Sequence, residues 1–110
     1  MRRDLQRLDD ILECAGLVAD EVRAGHDHFL ASRGTRAAVE RFIEIMGEAA
    51  SRMSYELRET HPEIPWAEIV AMRNRLVHAY FDVDPDILWD AATIEVPLLA
   101  GQIAVIVERG

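Results

Sequence analysis

The sequence predicts an all-α protein: an up-and-down bundle of four helices, or of five if a proline divides the last one. Three observations support this fold class. Apolar residues recur every three or four positions, the periodicity of one helical face, and no segment alternates as a strand does. The connections between the helical segments are short, as neighbouring antiparallel helices require. The 110 residues are enough for one domain, residues 1–110, with its own core.

The first two helices are predicted from apolar faces with start and stop signals. The first ends at Gly25, and its apolar positions are Leu5, Leu8, Ile11, Leu12, Ala15, Val18, Ala19 and Val22. Residues 26–34 are expected to form a loop. The second helix starts with Thr35 as its candidate N-cap and ends before Pro62. Its apolar positions are Val39, Phe42, Ile43, Met46, Ala49, Ala50, Met53 and Leu57.

The third and last helices are separated by an aspartate-rich break that ends in Pro85. The third covers residues 66 to about 80, with apolar positions Ile69, Met72, Leu76 and Val77. The last starts at Asp86 and continues to about residue 108, through Ile87, Leu88, Ala91, Ile94, Leu98, Leu99, Val105 and Ile106. Pro97 lies inside this pattern, where a proline costs about 3 kcal/mol by removing a hydrogen bond and crowding the preceding turn. We therefore expect a kink near Ile94, or two helices that meet there.

Composition and charge limit the possible functions. The chain is 50% hydrophobic and 29% charged, which is typical of a soluble globular protein. One cysteine, Cys14, allows no intrachain disulfide, and with no secretory signal this favours the cytoplasm. The longest apolar run, residues 103–107, is too short to span a membrane. A net charge of −8 means that RNA must be held at a local site, or in a groove formed by more than one chain.

The segment from residue 72 to 81 carries the candidate chemistry. Arg73 and Tyr80 are seven positions apart and share a helical face, while Asn74 and His78, four apart, form an adjacent polar line. A histidine, with a pKa of about 6.5, can move protons at neutral pH. An arginine can stabilise the negative charge of a phosphoryl transition state. This set suits RNA transesterification without a metal or cofactor. One imidazole cannot serve both sides of an in-line displacement, so we expect a two-fold dimer.

Structural roles are the alternatives for these residues. Arg73 could pair with Glu68 or with a carboxylate on another helix, and His78 could stabilise a helix C-terminus, where positive charge is favoured. Arg75 lies off the main face and contacts RNA or only solvent. A catalytic role therefore needs support beyond the spacing.

Other candidate residues are predicted to be structural. His26 and His28 alternate in a polar segment, which is weak geometry for a metal site without further ligands. Cys14 lies on an apolar helical face and is predicted to be a core residue. Trp66 and Trp89 are interpreted as packing residues rather than as platforms for base stacking, although the position of Trp66 near a helix start is compatible with either role.

The motif resembles a known family. Arg73, four residues, His78, one residue and Tyr80 match the R-x4-H-x-Y motif of HepT-like proteins in the HEPN superfamily. The similarity extends along nearly the whole chain, to residues 47–49, Trp66, residues 81–84, Trp89, and Pro97 with Leu98. The resemblance implies a HEPN-like helical bundle whose two-fold dimer pairs the motifs in one RNA-cleaving cleft.

The resemblance also implies roles for individual residues. HepT-like toxins are metal-independent endoribonucleases, and the expected substrate is tRNA or mRNA. Their antitoxin is a minimal nucleotidyltransferase of the MntA type that attaches AMP to the motif tyrosine, here Tyr80. Arg73 is assigned to the phosphate and His78 to proton transfer, with Asn74, Tyr80 and Glu48 in support; Glu48 could equally make only a structural ion pair. The alternative function is a catalytically silent helical subunit that binds the nucleotidyltransferase, which the acidic composition favours.

Overall fold

The structure is a computed structural model that describes residues 2–78 and 84–109, without the side chains of residues 2, 77 and 78. Within these ranges every regular element is helical, which confirms the predicted all-α class. Three long helices and a long C-terminal segment form the predicted bundle. The elements are α1 (Arg2–Val22), α2 (His26–Ala31), α3 (Arg33–Ser51), α4 (Tyr55–Thr60), α5 (Trp66–His78), α6 (Pro85–Asp90), a π-helical turn (Ala91–Glu95) and α7 (Val96–Arg109).

Helix α3 is central, because it packs against α1 on one side and α5 on the other. Helix α1 also packs against α7, so the core lies mainly between α1, α3 and the C-terminal segment. Seven of the ten largest fully buried side chains come from the predicted apolar positions: Leu8, Ile11, Val18, Val39, Ile43, Met46 and Leu88. The other three, Phe29 of α2 and Val96 and Ile103 of the C-terminal segment, were not among those positions. The apolar periodicity therefore located most of the core.

The predicted loop at residues 26–34 is wrong, because these residues contain α2. Gly25 has a φ of 98°, in the left-handed region that favours glycine, and it turns the chain out of α1. The fully buried Phe29 then holds α2 against the core. Ser32 rather than Thr35 caps α3, since its Oγ accepts the Thr35 N–H at 3.1 Å.

The second predicted helix is also shorter than expected, since α3 ends at Ser51 and α4 follows as a separate helix. Ser54 caps α4 by accepting the Leu57 N–H at 3.1 Å. Ser54 also donates its N–H and hydroxyl to the buried carboxylate of Asp4, at 3.0 and 2.6 Å. Burial acts to raise the pKa of Asp4, but the Ser54 hydrogen bonds and the charge of Arg7 outweigh it and lower this pKa. The break is thus fixed by a contact with α1.

The C-terminal segment begins one residue before its predicted start. Asp84, not Asp86, is the N-cap, with Oδ1 accepting the Asp86 N–H at 2.9 Å and with Pro85 in the first helical turn. The interruption predicted near Ile94 is present, but as the π-helical turn rather than as a junction of two helices. Pro97 explains it, because a residue without an N–H cannot bond to the carbonyl four positions earlier.

The same segment has more apolar surface than the bundle covers. By length and composition alone Pro85–Arg109 could cross a membrane, with 25 residues and a mean hydropathy of 1.5 in its most apolar window. Core helices of soluble proteins also meet these criteria, and the inner face of this segment is buried against α1. Six predicted apolar positions are nevertheless exposed. Leu5 and Ala19 lie on α1, and the other four lie here, because an all-round apolar helix has a second face: Ile87, Ile94, Leu98 and Val105.

Candidate functional site

Helix α5 packs against α3, and the two helices come close together at Gly47. A Cβ atom added to Gly47 would lie 2.1 Å from Cβ and 2.6 Å from Cγ of Arg73. Non-bonded carbon atoms pack at about 3.5–4.0 Å, so only glycine fits here without displacement. The buried side chains of Ile69 and Met72 fasten α5 to the core beside this contact. Because Gly47 has no side chain, it leaves room for the Cβ and Cγ atoms of Arg73 between α3 and α5.

The Arg73 guanidinium is held by two neighbouring side chains. Its Nη2 lies 3.1 Å from Oε2 of Glu48, and its Nη1 donates to Oδ1 of Asn74 at 2.8 Å. The Nε atom is buried, and none of the residues that the structure describes accepts its hydrogen bond. The sequence left two ion-pair partners open for Arg73, namely Glu68 or a carboxylate on another helix. The observed partner is of the second kind, because Glu48 lies on α3.

Glu48 connects Arg73 to a second arginine. Its other oxygen, Oε1, accepts from Nε of Arg52 at 2.9 Å, so one carboxylate bridges two guanidinium groups. Both ion pairs are partly exposed to solvent, and such pairs stabilise a protein by only about 0–1 kcal/mol. The bridge therefore matters more for orienting the two arginines than for folding.

These groups border an open cleft of about 530 Å³ formed by α1, α3 and α5. Four arginines and three carboxylates line it, so the local balance is positive in a chain whose net charge is −8. Such a cleft is the kind of local site that RNA binding requires in an acidic protein. Its lining residues are Arg7, Asp10, Arg41, Glu44, Ile45, Glu48, Ala49, Arg52 and Arg73.

Three of these arginines were not identified from the sequence. Arg7 donates from Nη1 to the backbone oxygen of Arg52, a contact between positions 45 apart that no local pattern indicates. A usable signal was present on α3, where Arg41, Glu44, Glu48 and Arg52 follow one another at intervals of three, four and four. This is a charged stripe at helical spacing. On its own, the stripe is equally typical of a solvated face.

The histidine and the tyrosine of the motif are not among the side chains that the structure describes. His78 is the last residue of α5, and its side chain is outside the described part of the structure, as is all of Tyr80. Asn74 is exposed and contacts Arg73. Arg75 is exposed in a separate groove between α5 and α7, which agrees with its predicted place off the main face. The structure thus brings together Arg73, Asn74 and Glu48 of the predicted site.

The remaining candidate residues are structural where the structure describes them. Cys14 is buried as predicted, and burial raises the pKa of its thiol. Trp66 is also buried, and the Trp89 ring packs against that of His26. His26 lies 3.2 Å from a carboxylate oxygen of Asp86. Among the side chains that the structure describes, which leave out that of His78, no group of three or more histidine, cysteine or acidic residues could hold a metal ion.

Comparison with known proteins identifies the family. Residues 5–106 match the family described as "Ribonuclease HepT-like". "Probable ribonuclease HepT" of Thermococcus cleftensis is 40% identical over 96 residues, which cover 86% of this chain and 87% of the relative. "Putative RNase MJ1380" of Methanocaldococcus jannaschii is 35% identical over 107 residues, covering 96% and 98%. A further "Putative RNase", of Caldanaerobacter subterraneus subsp. tengcongensis, is 35% identical over 103 residues, covering 93% and 92%. No solved structure matches significantly. The chain belongs to the HepT-like ribonuclease family.

Proposed function

We propose that this member of the HepT-like family is a cytoplasmic, metal-independent endoribonuclease, the toxin of a type II/VII-like toxin–antitoxin pair. The observation that carries the proposal is the position of Arg73, whose guanidinium borders an arginine-lined cleft in an acidic chain. The names of the relatives, ribonuclease and RNase, support the same reaction class. The proposed substrate is tRNA or mRNA.

The proposed reaction is transesterification within the RNA backbone. The 2′-oxygen loses its proton and attacks the adjacent phosphorus, while the bond to the 5′-oxygen breaks and that oxygen gains a proton. The products are a 2′,3′-cyclic phosphate and a 5′-hydroxyl end. Arg73 stabilises the negative charge that gathers on the non-bridging oxygens, and His78 transfers protons. Asn74 and Glu48, both in contact with Arg73, orient its guanidinium.

A two-fold dimer completes the proposed site. One imidazole cannot both remove the proton from the 2′-hydroxyl and supply one to the 5′-oxygen on the opposite side of the phosphorus. A symmetric dimer supplies a second His78 and a second Arg73 to one cleft. It also places two copies of the positive cleft beside the same RNA, which compensates for the acidic surface elsewhere.

Tyr80 is the proposed regulatory site. A minimal nucleotidyltransferase antitoxin of the MntA type would transfer AMP from ATP to the Tyr80 oxygen, releasing pyrophosphate. Tyr80 lies seven positions after Arg73, a spacing that places two residues on one helical face. An adenylate there would cover Arg73 and neutralise its charge, which would block access of the RNA phosphate.

The proposal is tested with the unmodified chain, checked by mass spectrometry for the absence of AMP, and its His78→Ala variant. Each is incubated with tRNA and with mRNA in EDTA. We expect cleavage with cyclic-phosphate ends by the parent only, and a loss of about 10²–10⁴-fold in the variant, as for removal of a general acid–base group. Circular dichroism and size-exclusion chromatography check that the variant keeps the parent's fold and assembly.

The contrary outcomes are distinct. Equal cleavage by both chains would remove His78 from the reaction. Cleavage by neither, with folded dimers in hand, would favour the catalytically silent subunit that binds a nucleotidyltransferase. Cleavage that EDTA abolishes would contradict the metal-independent mechanism.

A further inference from the structure

The cleft beside Arg73 contains three arginines to which the proposed reaction gives no role. Arg7 comes from α1, Arg41 from the middle of α3, and Arg52 from the residue that caps the C-terminus of α3. Together with Arg73 they make up four of the twelve basic residues of the chain. The fold therefore brings more guanidinium groups to this cleft than the scissile phosphate alone requires.

The protein contacts of these arginines leave donors for a ligand. Among the described residues, the Arg41 side chain makes one ion pair, from Nη1 to Oε1 of Glu44 at 3.2 Å. The Arg52 side chain likewise makes one, from Nε to Glu48. A guanidinium has five N–H donors, and these two side chains are 65% and 64% exposed. Both can therefore bind an anion without leaving a buried group unsatisfied.

Glu48 holds two of these arginines close together. Its two oxygens are held by Nε of Arg52 and Nη2 of Arg73, at 2.9 and 3.1 Å. The other N–H groups of Arg52 remain available to a phosphate, which would bind them through charge-assisted hydrogen bonds. A phosphate on Arg52 would therefore lie near a phosphate on Arg73, while Glu48 continues to orient both guanidinium groups.

We propose that Arg41 and Arg52 form a second phosphate-binding region, in which each contacts a separate phosphate of the RNA backbone next to the one that is cleaved. Arg7 supports it by holding the backbone oxygen of Arg52. The cleft, at about 530 Å³, is within the range of roughly 300–1,000 Å³ in which proteins bind small ligands, so a nucleotide fits. The ligand class, single-stranded RNA, rests on the proposed function; the phosphate site itself rests on the arginines.

The test is direct binding, measured in the His78→Ala background so that the RNA is not cut. A fluorescently labelled single-stranded RNA of twelve nucleotides is titrated at several salt concentrations. Arg41→Ala and Arg52→Ala should each raise the Kd about tenfold, as expected for one lost hydrogen-bonded charge contact. Each should also reduce the salt slope by about 0.7, the value for one phosphate contact to a single strand.

Arg58→Ala is the matched control, because Arg58 is an exposed arginine on α4 that does not line the cleft. It should keep the parent's Kd and salt slope to within about twofold, as for a surface charge that makes no phosphate contact. If Arg52→Ala loses helix content, Arg41→Ala alone decides, since its pair with Glu44 is exposed and contributes little to folding.

The outcomes separate this proposal from the proposed function. Weaker binding by the two cleft variants supports the phosphate site even if the parent cleaves no RNA. Unchanged binding by both variants overturns the site, even if the parent is an active ribonuclease. Absence of measurable RNA binding by the folded parent chain would overturn it as well.

Discussion

Helix α5 separates two open grooves of different chemistry. On the side of α1 and α3, the cleft of about 530 Å³ is lined by four arginines and three carboxylates. On the side of α7, a groove of about 320 Å³ is more apolar, with Met72, Leu98 and Leu99 in its lining beside Arg75 and two carboxylates, Glu68 and Glu95. Arg73 and Arg75 are two positions apart, so a helix directs them to opposite sides. These neighbouring arginines therefore have different surroundings: Arg73 lies among three further arginines, whereas the described lining of the other groove contains no arginine besides Arg75.

The largest expected effect is the loss of activity in Arg73→Ala. If the charged cleft is the catalytic side, removal of this guanidinium should lower kcat for cyclic-phosphate formation by about 10²–10³-fold, as for other transition-state donors. Arg75→Ala removes the same charge from the opposite groove and should lower kcat by less than about threefold, since charges far from the reacting phosphate are screened by salt. Similar losses in both variants would contradict the distinction between the two sides.

The apolar groove is tested by two adjacent leucines. Leu99 is 5% exposed and Leu98 is 66% exposed. Leu99→Ala should lower the free energy of unfolding by about 2–5 kcal/mol, because it leaves a cavity in the core. Leu98→Ala should change it by about 0.5 kcal/mol or less, as at other exposed positions. Urea denaturation measures both.

A different result for Leu98 would be informative. If Leu98→Ala is strongly destabilising, and the loss depends on protein concentration, a second chain covers the apolar groove. In that case the two sides of α5 would be one catalytic cleft and one interface between chains.

A smaller loss of stability than that of Leu99→Ala is expected at the contact that positions Arg73. Gly47→Ala should destabilise the chain by about 1–3 kcal/mol through overpacking, because its Cβ would lie 2.1 Å from that of Arg73. Gly16→Ala is the control: Gly16 is an exposed position within α1, and no other side chain lies within 4 Å of an added Cβ. It should stabilise the chain by up to about 1 kcal/mol through helix propensity. Thermal or urea unfolding of both variants checks the opposite signs.

The sequence predicted the periodic parts of the fold and missed those set by single contacts. The faces of α1 and α3 and the interruption before Pro97 follow from local spacing and from the chemistry of proline. Helix α2 was missed because a six-residue helix carries too little periodicity to be recognised, and α4 was predicted only as a continuation of α3. Their boundaries depend on one buried ring, Phe29, and on the contact between Asp4 and Ser54.

The candidate site divides in the same way. The spacing of residues 73–80 identified Arg73, Asn74, His78 and Tyr80 as a set, since helical spacing alone predicts such residues on shared or adjacent faces. Glu48 was named from the resemblance, and its contact with Arg73 came from the structure. The spacing of the motif contains no information about the partner helix, because the partner is more than twenty positions away in the chain.

By itself, the sequence determined that this protein is a helical bundle of the HepT-like family with a motif on one helix. Local periodicity and short motifs are properties of neighbouring residues, so they can be read along the chain. Only the tertiary structure decided that Gly47 admits Arg73, and that Arg7, Arg41 and Arg52 meet beside it. Those contacts arise because the burial of apolar faces fixes how α1, α3 and α5 pack. Their packing then brings together charges from distant parts of the chain.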